Sequence, residues 1–256
     1  MTKTFIDVQI EDHIATVTMD RPPVNAFSPE FQQEFIATFD ALGDTPEVRA
    51  IVLTGRGKVF CAGADIKARA GKVFDRGERG THNRNTRETF HCVLECRKPV
   101  VAALNGPALG GGLAIAASAD ILVTSTNGSL GLPEIDVGLL GGARHSMRLF
   151  GHSLTRRMVL TGYRVPGPEL YRLGIVEACV APEELMDCAN RLARQVADKS
   201  PAASRLAKAT LNAIEDMSLR DGYRYEQTMT AQLSEHTDSK EAIRAVTEKR
   251  PPQFAD

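Results

Sequence analysis

Apolar positions near the start of the chain, Phe5, Val8 and Ile10 and then Ile14, Val17 and Met19, flank the polar stretch Glu11-Asp12-His13. Thr16, a good strand former, lies in the second run. The segment predicts a β-hairpin. The period then lengthens: Phe31, Phe35, Phe39 and Leu42 recur every three or four residues, the spacing of one helix face. Ser28-Pro29 supplies an N-cap and a first-turn proline for that helix, and Gly43 closes it. Residues 50–54, with the apolar run Ile51-Val52-Leu53, read as a strand of the kind buried on both faces of a parallel sheet. Residues 100–104, 121–123 and 129–131 read as further strands, and Phe90, Val93 and Leu94 as the end of a helix leading to the strand at 100. Between them, residues 71–87 are polar and charged with few large apolar side chains, which predicts a mobile loop. Strands and helices alternate to about Val180. Beyond it, residues 183–199, 201–215, 219–233 and 239–248 read as helices without intervening strands. The expected organisation is an α/β core over residues 1–181 and a helical C-terminal region over 182–256. No flexible linker separates them, so the helices should pack on the core or on a neighbouring subunit.

Composition narrows the function classes. The chain has 256 residues, 43% hydrophobic and 25% charged, enough for one sizeable core. Its 31 basic and 32 acidic residues nearly cancel, leaving a net charge of −1. Nothing in that balance points to nucleic acid or a membrane surface as partner. No apolar run approaches the length of a bilayer span or of a signal peptide's core, and the five cysteines lack metal-site spacing. A reducing cytoplasm is the expected location.

The chemistry is concentrated in glycines. Pro107-Ala108-Leu109-Gly110-Gly111-Gly112-Leu113-Ala114 follows the strand at 100–104 and precedes the apolar run 113–117, which predicts strand, tight turn and helix. Glycine lets backbone N–H groups approach a ligand, and a helix N-terminus adds free donors and partial positive charge. Such a turn suits an oxyanion, although glycine there also serves close helix–strand packing. A second small-residue turn, Phe60-Cys61-Ala62-Gly63-Ala64-Asp65, follows the strand at 51–53. One N–H from each turn would make an oxyanion hole.

The segments Phe60-Cys61-Ala62-Gly63-Ala64-Asp65-Ile66-Lys67 and Lys98-Pro99-Val100-Val101-Ala102-Ala103-Leu104-Asn105-Gly106, running into the triple glycine, resemble signatures of the crotonase (enoyl-CoA hydratase/isomerase) superfamily. Arg21-Pro22, Asn25-Ala26, Leu132-Pro133-Glu134 and Glu248-Lys249-Arg250-Pro251 match in the same order, so the resemblance spans nearly the whole chain. It implies a spiral of β-β-α units with a helical C-terminal trimerisation region, a homotrimer or dimer of trimers, and an acyl-CoA substrate. CoA would arrive as part of the substrate, and no metal or other cofactor would be needed. The implied oxyanion donors are the N–H groups of Ala64 and Gly111, and the implied acid/base is Glu134. Pro23, Val24, Ala62, Gly63, Asp65, Ile66, Gly110, Pro133 and Gly142 would bind the substrate. The charged residues of segment 71–87, with Lys249 and Phe254, would lie towards the CoA phosphates or adenine.

Three positions depart from the family pattern. Its hydratases carry a second glutamate two residues after the last glycine, where this chain has Ala114, which cannot transfer a proton. One carboxylate facing an oxyanion hole shifts the expectation from simple hydration towards isomerisation or C–C bond chemistry, lysis or hydrolysis. A non-catalytic acyl-CoA-binding protein is the rival class. Asp136, two residues past Glu134, would share its face if that segment were extended, and His91 could reach the acyl pocket. Arg144 and His145 stand where the family usually has glycines, and His145 is a candidate proton donor or carboxylate binder.

Overall fold

The computed structural model describes residues 4–66 and 75–254. Strands β1 (Ile6–Glu11) and β2 (Ile14–Met19) form the hairpin, with Asp12 and His13 both at positive φ in its two-residue turn. Then come α1 (Pro29–Asp44), β3 (Ala50–Gly55), α2 (Arg76–Leu94), β4 (Val100–Leu104), β5 (Pro107–Leu109) and α3 (Gly111–Ser118). Strands β6 (Ile121–Ser125) and β7 (Ser129–Gly131) lead to a 3-10 helix, Pro133–Val137, and to α4 (Ala143–Leu149) and α5 (His152–Thr161). After β8 (Arg164–Pro166), α6 (Gly167–Arg172) and β9 (Cys179–Val180) the described chain is helical: a short 3-10 turn, then α7 (Leu185–Ala197), α8 (Pro201–Ile214), α9 (Leu219–Glu235) and α10 (Thr237–Glu248).

The main sheet has the order β1-β2-β3-β4-β6-β9 and is parallel except for the hairpin. A second layer, β5-β7-β8, is continued by isolated parallel bridges between Cys61 and Ala108 and between Phe27 and Ala64. Each long strand is therefore followed by a short extended piece in the second layer and then by a helix. This is the β-β-α spiral: β2, Phe27 and α1; β3 and residues 61–64; β4, β5 and α3; β6, β7 and the 3-10 helix.

Two-sided burial explains the uninterrupted apolar runs. In β3, Ile51 and Leu53 enter the core beneath α1 and α3, while Ala50 and Val52 face α7. In β4, Val100, Ala102 and Leu104 alternate in the same way with Val101 and Ala103. The α1 face is a ladder of Phe31, Phe35 and Phe39, with ring centroids 5.9 and 4.8 Å apart. Leu185, Ala189 and Ala193 of α7 cover the opposite face of the sheet. A buried lysine, ion-paired at its tip, ties α8 to the core. The Lys208 ammonium donates to the carbonyls of Val93 and Lys98 and to Asp120 Oδ2, which also accepts from Val100 N–H at 2.7 Å.

The expectation of a mobile loop over residues 71–87 is corrected from residue 75 onward. Asp75 caps α2, its side chain accepting from Glu78 N–H at 2.7 Å while the Glu78 side chain accepts from Asp75 N–H. This capping box starts a helix that continues through the polar residues to Phe90. Residues 71–74, Lys72 among them, lie outside the described residues.

Candidate active site

The spiral brings its glycine turns together. Phe27 N–H donates to Gly63 O (2.8 Å), Asp65 N–H to Phe27 O (3.3 Å) and Leu109 N–H to Cys61 O (2.9 Å), which pins residues 61–65 between Phe27 and β5. The Ala64 N–H, between two residues so held, has no partner among the described residues. Gly111 opens α3, where no helical carbonyl lies one turn before its N–H. The two turns touch: a Cβ on Gly63 (φ +78°) would lie 2.8 Å from Gly111 N. A side chain at 111 would strike the Phe27 ring, and one at 112 the Cys61 carbonyl. The consecutive glycines thus serve close packing and leave the Gly111 N–H beside the turn that carries the Ala64 N–H.

The loop before this site is braced from behind. Asn25, fully buried, donates through Nδ2 to the carbonyls of Arg56, Val59 and Phe60, and its Oδ1 accepts from Arg21 N–H. Arg21 donates to Ala26 O and, at 2.9 Å, to Asp65 Oδ2. Asp65 therefore spends its carboxylate holding the loop. Ala62 N–H donates to Val24 O at 3.0 Å, which places Val24 beside the same turn, with Pro23 preceding it. Ile66, next to Asp65, is exposed.

Glu134 enters from the opposite side. Pro133 starts the 3-10 helix that carries it, and the Glu134 carbonyl accepts from Leu139 N–H at 2.9 Å. Its carboxylate lies against Gly110 and Gly141: a Cβ at 110 would be 2.5 Å from Oε1, and one at 141 would be 3.5 Å from it. Oε2 is buried with no hydrogen-bond partner among the described residues. Burial pushes the carboxyl pKa above its ordinary value, opposed by a backbone hydrogen bond. Gly142 caps α4 with its Cα side turned towards Leu132 and the Gly110 carbonyl. The site thus sets a proton-accepting oxygen against the turn that presents the Gly111 N–H, with the Ala64 N–H on the adjoining turn. That arrangement can remove a proton next to a carbonyl and hold the resulting negative charge.

The other candidates separate. Asp136 lies on the 3-10 helix, not on an extended strand, and does not share a face with Glu134; its carboxylate packs against Gly162. Arg144 is exposed and pairs with Asp216, and Arg148 with Glu215. Ala114 is wholly buried in the core, one turn into α3. His145 packs edge-on against Phe90 with ring centroids 4.9 Å apart. Burial, with His91, Arg148 and Arg144 nearby, pushes its pKa down to about 4, so the imidazole is neutral at pH 7. That removes the charge expected of a proton donor or carboxylate binder. Arg250 of the tail pairs with Glu241 and Glu248. Among the described residues, no helix is long and apolar enough to cross a membrane.

The family model for enoyl-CoA hydratase/isomerase matches residues 9–256. A putative enoyl-CoA hydratase from Thermus thermophilus is 38% identical over 96% of this chain and all of that protein. A (7aS)-7a-methyl-1,5-dioxo-2,3,5,6,7,7a-hexahydro-1H-indene-carboxyl-CoA hydrolase from Mycobacterium tuberculosis is 36% identical over 90% of this chain and 95% of that one. The crystal structure of an enoyl-CoA hydratase from Bacillus anthracis superposes with a TM-score of 0.92 at 29% identity, covering 98% of this chain and 99% of that one. The chain belongs to the enoyl-CoA hydratase/isomerase family and has its crotonase fold.

Proposed function

We propose that this protein acts on an acyl-CoA thioester through an enolate. The N–H groups of Ala64 and Gly111 receive the thioester oxygen, and Glu134 carries the proton. The observation that carries the reading is the Glu134 carboxylate, unpartnered at Oε2 and lying against the glycine turn that opens α3. Removing a proton beside a thioester, or adding a nucleophile at its β-carbon, puts charge on the carbonyl oxygen. Two fixed N–H dipoles stabilise that charge, and loss of one such donor typically costs about 3 kcal/mol. Gly63, Gly110 and Gly142 keep the walls low enough for the thioester to enter, with Pro23, Val24, Ala62, Ile66 and Pro133 along its path. CoA comes with the substrate, and this chemistry calls for no metal or redox cofactor.

Ala114 favours isomerisation or C–C bond chemistry over simple hydration, because the first turn of α3 offers a buried methyl group and no second carboxylate. Turnover of a panel containing crotonyl-CoA, a 3-enoyl-CoA and branched, cyclic and aromatic enoyl-CoAs, followed by mass and ultraviolet absorbance, distinguishes these outcomes. An unchanged mass with a shifted double bond establishes isomerisation. A gain of one water without chain cleavage establishes hydration and overturns that preference. Glu134→Gln is expected to lower turnover by about 10²–10⁴-fold; full activity in that variant would remove Glu134 from the mechanism.

Self-association as a trimer or dimer of trimers belongs to the same reading. It is supported by large apolar side chains left open on α9, α10 and the loop after Glu134: Leu219 at 92% exposure, Val246 at 80% and Leu140 at 81%. Light scattering of the purified protein tests it. A cytoplasmic location suits the five free cysteines.

A further inference from the structure

Packing connects the candidate site to polar groups that the proposed enolate chemistry does not use. Two lines of contact lead to His145. From the α3 turn, the Phe27 ring lies so close to Gly111 that no Cβ would fit there. Phe27 faces Phe90 at 6.3 Å, and Phe90 meets the His145 ring edge-on at 4.9 Å. From the Glu134 side, Gly141 touches the carboxylate and Gly142 caps α4, and His145 lies one helical turn further on. Both lines end at one half-buried imidazole, and neither of its ring nitrogens has a hydrogen-bond partner among the described residues. Thr86 lies one turn before Phe90 on the same face of α2, and its buried hydroxyl is also unpartnered among the described residues. A buried hydroxyl without a partner, such as that of Thr86, costs free energy that a ligand bearing a matching group recovers.

We propose that Thr86 and His145 form a polar end to the acyl pocket and select CoA thioesters whose acyl group carries a neutral oxygen, a ketone or hydroxyl, beyond the reacting carbons. This rests on the acyl-CoA reading above and narrows its substrate class. A neutral imidazole offers one donor and one acceptor, which suits such an oxygen. A carboxylate suits the place less well, because the neighbouring Arg144 and Arg148 are already paired with Asp216 and Glu215 and His145 itself is held neutral.

The test is calorimetric binding of two thioesters matched in chain length, hexanoyl-CoA and 5-oxohexanoyl-CoA. The wild type is expected to bind the oxo ester about tenfold more tightly. His145→Phe, which keeps the ring against Phe90, is expected to bind both alike. His145→Gln is expected to retain part of the preference, and Thr86→Val to lose a smaller part. Equal binding by the wild type, or an undiminished preference in His145→Phe, would overturn the polar end while leaving the acyl-CoA reading intact. Binding of neither ester would overturn both. If His145→Phe does not fold, the wild-type comparison and Thr86→Val decide the matter.

Discussion

Gly110→Ala separates two costs that a single residue carries. The backbone of Gly110, at φ 57° and ψ −118°, lies in a region that other residues occupy only under strain, about 1–3 kcal/mol. In a domain of this size that lowers Tm by roughly 2–12 °C. The second cost is local. The new Cβ would lie 2.5 Å from Glu134 Oε1, which is 0.9 Å inside ordinary contact at 3.4 Å. The far end of a glutamate moves easily, so this clash adds little to the stability loss. It does drive the carboxylate away from the α3 turn by about 1 Å, and misplacement on that scale costs about 10²-fold in turnover. Gly57→Ala is the control. Its φ is +84° with nothing within 4 Å of the added Cβ, so it is expected to lose stability to a similar extent and keep its activity. Thermal unfolding and initial rates on the best panel substrate, measured for both variants, check the argument. A Gly110→Ala protein with full turnover, or equal losses of turnover in both variants, would show that the position of Glu134 against Gly110 does not matter to the chemistry.

Three further outcomes follow from the same contacts. Because burial raises the Glu134 pKa, its ionised form opposes folding; the penalty is absent below the unfolded value, develops through the window up to the raised folded value and is complete above it. Glu134→Gln is therefore expected to be more stable than the wild type near pH 7, with the advantage fading on acidification, as read by denaturant melts across pH. The wild type's kcat/KM is expected to fall on the acid side at a pH higher than an ordinary glutamate would give, as its base becomes protonated. Lys208→Met leaves Asp120 and two carbonyls without their buried cation and is expected to cost about 1–3 kcal/mol in urea unfolding; a loss under about 0.5 kcal/mol would show that the pair does not tie α8 to the core.

Much of the fold was legible because burial writes itself into the chain. The uninterrupted apolar runs at 50–53 and 100–104 exist because both faces of those strands are covered, and Ser28-Pro29 reads as a helix start because the Ser28 hydroxyl accepts from Phe31 N–H. The glycines at 110–112 stood out because close approach of Phe27 and Cys61 tolerates nothing larger. The start of α2 was not legible from apolar periodicity, because its first three turns are polar and exposed and only the Asp75–Glu78 capping box marks its origin. Nor could spacing alone separate Glu134 from Asp136: the 3-10 helix turns one carboxylate to Gly110 and the other to Gly162. The sequence by itself determined the elements and the residue types the chemistry needs, since those depend on local periodicity and backbone freedom. Only the tertiary structure decided which of them meet. The contacts of Phe27 with Gly111, of Glu134 with Gly110 and of His145 with Phe90 join residues far apart in the chain, and they form only where successive turns of the spiral stack.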